Sequence, residues 1–121
     1  MNRIQTIQKI LDKIQGEFYL EIGVDKGESF KPIQAPLKVG VDPFPKFEDS
    51  QVRVMESDDF FAQYEEEFGD KKIDVCFIDG MHSYEQTYKD VNNALKHLSD
   101  KGYIVMHDCS PPLAVAADPK Q

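Results

Sequence analysis

Apolar residues Ile4, Ile7, Leu11 and Ile14 recur at three- and four-residue intervals, so the chain opens with an amphipathic helix over residues 1–15 that Gly16 ends. Its stripe suits packing on a sheet or against a second subunit equally well. Five short strand-like runs follow, at 18–22 (FYLEI), 37–41 (LKVGV), 52–55 (VRVM), 73–78 (IDVCFI) and 103–106 (YIVM). Two further helices are predicted between them. One starts at Ser57 or Asp58, carries Phe60, Phe61, Tyr64 and Phe68 on one face and stops at Gly69. The other opens with the S-x-x-Q cap of Ser83 and Gln86, buries Tyr88, Val91, Leu95 and Leu98, and stops at Gly102. The connection KGESFKPIQAP begins like a helix, but Pro32 and Pro36 keep any helix there short or broken.

Strands alternating with helices imply an α/β fold on a mostly parallel sheet with helices on both faces. The 121 residues fit a single domain, with a core over 17–110 and an irregular tail over 111–121. The formal charge of -8, without any Lys/Arg cluster, argues against nucleic acid or an anionic membrane as partner and leaves a small organic molecule open. No apolar run reaches the roughly 20 residues of a membrane span, and the polar amino terminus does not read as a signal peptide. A cytoplasmic location is therefore expected, with Cys76 and Cys109 both reduced.

In an open parallel sheet, ligands bind beyond the carboxyl ends of the strands. Here those ends carry acids: Glu21 with Gly23 and Gly27, Asp42, Ser57 with Asp58, Asp79 with His82, and His107 with Asp108. In the first turn, EIGVDKGES, glycines let backbone pass close to a ligand and exposed N–H groups can hold a carboxylate, although such glycines equally mark a plain turn. Asp42 is suited to two vicinal ribose hydroxyls, or to a solvated turn before Pro43. The turn is not G-x-G-x-x-G, which disfavours a nicotinamide dinucleotide.

The segments YLEIGVDKGES, VGVDPF, FIDGMHSYEQTYKDV and GYIVMHDC, in this order, resemble the class I S-adenosylmethionine-dependent methyltransferases, a Rossmann-like fold, and within them a small group with DG-x-H-S-Y-E and HD motifs. The resemblance implies that Glu21, Gly23 and Gly27 line the methionine part of S-adenosylmethionine and that Asp42 holds its ribose. Ser57 and Asp58 would flank the adenine, with helix capping as their competing and favoured role. Asp79 would share in the cofactor site and, with His82, in catalysis. His82 has three readings: general base, metal ligand, or structural hydrogen-bonding group.

Asp79 and Asp108 end neighbouring strands, so the resemblance also admits Mg2+ or another divalent cation between them, with His107 a less natural ligand. The implied reaction is O-methylation of a small hydroxylated compound such as a sugar or glycan precursor. A binding module or inactive truncated methyltransferase, and a divalent-metal hydrolase or oxygenase, are the alternatives. The tail, SPPLAVAADPKQ, shows no strand pattern, so the sheet is expected to end on its fifth strand, with a bare edge that suits a homodimer or a truncated chain.

Overall fold

The computed structural model describes residues 2–79 and 83–106, and the backbone of 113–116. The chain order is α1 (Arg3–Ile14), β1 (Phe18–Ile22), β2 (Leu37–Val41), β3 (Val52–Arg53), α2 (Ser57–Ala62), α3 (Tyr64–Phe68), β4 (Ile73–Ile78), α4 (Tyr84–Lys96), β5 (Leu98–Met106) and β6 (Leu113–Ala116). These form one sheet in the order β3-β2-β1-β4-β5-β6. The first five strands are parallel, as expected. The sixth corrects the reading of the tail: β6 runs antiparallel to β5, with Met106 opposite Leu113 and Tyr103 opposite Ala116, so β5 is not the sheet edge.

Both faces of the sheet are buried, by alternate residues of the same strands. Phe18, Leu20, Ile22, Cys76, Ile78 and Ile104 join Phe60, Phe61 and Tyr64 on the face of α2 and α3, where α4 adds Ala94. Tyr19, Val75, Phe77 and Val105 meet Ile7 and Leu11 of α1 on the other. The stripe of α1 is thus spent on the sheet. Each fully buried aliphatic or aromatic side chain contributes about 1.5–3 kcal/mol, so the two layers are the main source of stability.

The details depart from the sequence pattern at five elements, among them β5, which starts at Leu98 and not at residue 103. Helix α1 starts with a reciprocal capping box between Asn2 and Gln5 and closes on Gln15 in the left-handed region. The single helix expected from Ser57 to Gly69 is broken at Gln63 into α2 and α3, and its N-cap is Glu56, so neither Ser57 nor Asp58 caps it. The third strand run ends at Arg53, short of Met55.

Helix α4 differs most. It ends at Lys96, six residues before Gly102, with His97 as its C-cap, and Gly102 lies inside β5. A Cβ there would come within 3.0 Å of the Ile73 and Asp74 carbonyl oxygens, so the glycine serves close strand contact and not helix termination. The face of α4 is also turned: Asp90 and Ala94 are buried, whereas Tyr84, Tyr88 and Leu95 are 85%, 62% and 41% exposed.

No helix forms in the connection from β1 to β2. It is held instead by buried Phe30 and Ile33 and by the Lys38 ammonium, which donates to the Phe30 and Ile33 carbonyls at 2.7 and 3.2 Å. Gln8 and Gln34 exchange hydrogen bonds across it to α1.

Candidate functional site

Register brings the strand ends level. Ile22 pairs with Val41 on one side and with Ile78 on the other, so the next residues, Gly23, Asp42 and Asp79, emerge side by side. Ladder-like bonds continue past the strands. Gly23 N–H donates to Val41 O at 2.8 Å, Asp79 N–H to Ile22 O at 2.8 Å and Asp42 N–H to Arg53 O at 3.1 Å. Above them lies a hollow of about 370 Å3, within the ordinary range for small-molecule pockets. Ile22, Val41, Pro43 and Phe44 supply its apolar lining, and Asp25, Asp42, Glu56, Ser57 and Asp79 its polar lining, with Lys46 as the cation.

Asp42 sits at the centre of the loop architecture. Its Oδ2 accepts from Asp25 N–H at 2.9 Å and its Oδ1 from Phe44 N–H at 2.8 Å, so the carboxylate ties the β1 and β2 turns together. A carboxylate offers about four lone-pair positions. One remains on each oxygen, which is what a pair of vicinal hydroxyls requires.

The structure therefore brings together Gly23, Asp42, Ser57 and Asp79 of the expected set. It places three others elsewhere. Glu21 lies behind the hollow on the α1 face, 1% exposed, and accepts from the Tyr19 hydroxyl at 2.6 Å. Burial, with Asp79 adding to it against the Tyr19 bond, pushes its pKa up to about 8. Gly27, at φ +83, makes room for Phe47, whose ring carbons would lie 2.9 Å from a Cβ. Asp58 faces a different cavity, between α2 and α4, and receives a bond from Gln86 Nε2 at 3.1 Å. His82, His107 and Asp108 lie outside the described residues.

Three N–H groups of the glycine turn are engaged within the protein. Gly23 N–H is bound to Val41 O, Gly27 N–H to Val24 O at 2.8 Å, and Asp25 N–H to Asp42. The Gly27 bond closes the turn on itself, and the other two tie it to β2 and the turn after it.

Ser57 forms part of a buried polar cluster that the sequence pattern did not disclose. Its hydroxyl donates to Asp90 Oδ1 at 2.6 Å, and Gln86 Nε2 reaches Asp90 Oδ1 at 3.1 Å as well as Asp58. Ser83 caps α4 by accepting from Gln86 N–H at 3.2 Å, but the Gln86 side chain turns inward to this cluster and does not complete the box. Phe44, Lys46, Asp25 and Glu56 were missed too. Phe44 had a signal, an aromatic two positions beyond a strand-end acid that is 81% exposed on the hollow's rim.

Among the described residues, no group of three His, Cys, Asp or Glu side chains is placed to hold a metal ion. The ion expected at Asp79 and Asp108 depends on a residue outside them.

A parallel α/β sheet with acid-tipped strands converging on one hollow defines the Rossmann-like class of ligand-binding enzyme folds. Residues 20–109 match the family model of a methyltransferase domain, and the chain belongs to that family. No curated protein matches it. No helix among the described residues is long and apolar enough to cross a membrane.

Proposed function

We propose that this methyltransferase uses S-adenosylmethionine, bound in the hollow over β1, β2 and β4, and transfers its methyl group to a hydroxyl oxygen of a small hydroxylated molecule such as a sugar or glycan precursor. The observation that carries the reading is the shared placement of Gly23, Asp42 and Asp79 around one cavity. Bound there, the cofactor supplies a methyl group activated by a positively charged sulfur.

The chain's own groups fit that ligand. Asp42 keeps a lone pair on each oxygen for the ribose hydroxyls. Phe44, exposed on the rim beside Pro43, offers a face on which adenine stacks, and Ser57 stands at the same end of the lining. Asp79, on the other flank of β1 from Asp42, orients the acceptor hydroxyl. His82, three positions on, takes its proton as the acceptor oxygen attacks, since an imidazole titrates near neutrality. A divalent ion held by Asp79 and Asp108, with His107 as a less natural ligand, is the second route to the same deprotonation.

Calorimetric titration tests the reading. Saturable binding of S-adenosylmethionine, weakened at least about tenfold by Asp42→Ala while the variant still unfolds cooperatively, is the expected outcome. Unchanged affinity in that variant removes the ribose assignment. Adding Mg2+ separates the two routes: activity that rises with Mg2+ and no longer does so in Asp79→Ala supports the ion.

A further inference from the structure

We infer that Asp90, which lies behind the lining of the hollow, is a positioning residue: it holds the Ser57 hydroxyl proton away from the cavity, so that Ser57 meets a ligand as a hydrogen-bond acceptor and the hollow selects a base carrying an amino group over one carrying an oxo group. This rests on the reading of the hollow as the S-adenosylmethionine site, with Ser57 at its adenine end.

The contacts of Ser57 fix the direction of that proton. Ser57 lines the hollow but is only 6% exposed, and Asp90, on α4, is wholly buried. Ser57 Oγ and Asp90 Oδ1 are 2.6 Å apart, the separation of a hydroxyl donating to a carboxylate. Gln86 removes the alternative direction. Its Nε2 stands 3.1 Å from Asp58 Oδ1 and 3.1 Å from Asp90 Oδ1, so two carboxylate oxygens turn the amide nitrogen, and not the amide oxygen, towards the cluster. The same nitrogen lies 3.3 Å from Ser57 Oγ, where it donates and cannot accept.

A hydroxyl has one proton and two lone pairs. With the proton on Asp90 and one lone pair turned to Gln86, the other lone pair is what Ser57 offers a ligand. The amino group of adenine supplies an N–H to meet it. The deaminated base brings a carbonyl oxygen instead, and two acceptors then face each other without a proton between them. The test is calorimetry of S-adenosylhomocysteine and of S-inosylhomocysteine, which carries an oxo group where the other has its amino group. Both are titrated into the wild-type chain, Ser57→Ala, Asp90→Leu, Gln86→Leu and the double variant Ser57→Ala/Asp90→Leu.

The wild type should bind the amino form about tenfold more tightly, as expected for one hydrogen bond gained against one acceptor left facing another. That ratio should fall towards equality in Ser57→Ala and in Asp90→Leu, and no further in the double variant, because Asp90 acts through Ser57. It should persist in Gln86→Leu, which loosens the same cluster but leaves Asp90 to take the proton. A merely structural loss lowers both affinities together and does not move the ratio. In the wild-type complex, proton spectra should show the Ser57 hydroxyl in Overhauser contact with Asp90 and not with the ligand, a readout that needs no variant to fold. Equal binding of the two forms by the wild type, a ratio unmoved in Ser57→Ala or Asp90→Leu, an equal fall in Gln86→Leu, or a hydroxyl proton in contact with the ligand overturns the inference and leaves the site assignment standing. Binding of neither form overturns both.

Discussion

Glu21 shows how a strand-end acid can belong to the fold more than to the ligand. It alternates with Leu20 and Ile22, so it projects with Tyr19 to the α1 face, and its carboxyl is pushed up to about 8 mainly by burial. Between the ordinary 4.5 and about 8 the folded chain keeps this proton while the unfolded chain releases it. Stability from this group is thus fully present below the lower value, declines as pH rises, and is lost above the upper one. Glu21→Gln should flatten the decline in melting temperature across that window, by an amount equivalent to a few kcal/mol at its alkaline end. Parallel wild-type and variant profiles would refute it.

Gly27 makes a related point about glycine. Its φ of +83 and the closeness of the Phe47 ring mean that Gly27→Ala should cost about 1–3 kcal/mol in urea unfolding, whether or not ligand is present. The pattern E-x-G-x-x-x-G announced a special turn correctly. It could not say that the space beside Gly27 is filled by Phe47, because that contact joins residues twenty apart in the chain.

At the scale of elements, α4 separates legible from illegible features most clearly. Its start was written in Ser83 and Gln86, and its amphipathic character in the spacing of Tyr88, Val91 and Leu95. Its orientation was not. The helix turns Gln86 and Asp90 inward because Ser57, on α2, offers them a hydroxyl, and a buried carboxyl group must find such partners. A periodicity argument ranks apolar residues for burial and has no term for a donor on another helix. Ser57→Ala should destabilise the domain by about 1–3 kcal/mol in urea unfolding, whereas Tyr88→Ser and Leu95→Gln should stay within about 0.5 kcal/mol. Large losses in the latter pair would mean that the exposed face is covered.

The strands were read more reliably than the helices. FYLEI and IDVCFI are buried along their whole length and LKVGV over its last three residues, each run is apolar but for one charged residue, and their bounds match β1, β2 and β4. The failure at β6 has a physical cause. LAVA is too short and too small-sided to declare itself among prolines, and antiparallel pairing with an existing edge creates the strand.

For the molecule as a whole, β6 decides which backbone is left open. Removing residues 112–121 would expose the donors and acceptors of β5, the longest strand. The shortened chain should self-associate in a concentration-dependent way by light scattering, and a strictly monomeric, equally stable product would contradict the pairing. The opposite boundary is β3, only two residues long, as suits an edge that must not recruit further strands.

The strand order β3-β2-β1-β4 has one more consequence. The walls of the hollow come from residues 22–25, 41–46, 56–57 and 79, which meet only when β1 has acquired neighbours on both flanks. No fragment ending before β4 can assemble the cavity. Occupancy and chain collapse are consequently coupled equilibria, and whatever fills this space shifts the midpoint of heat denaturation upward in proportion to the logarithm of its concentration.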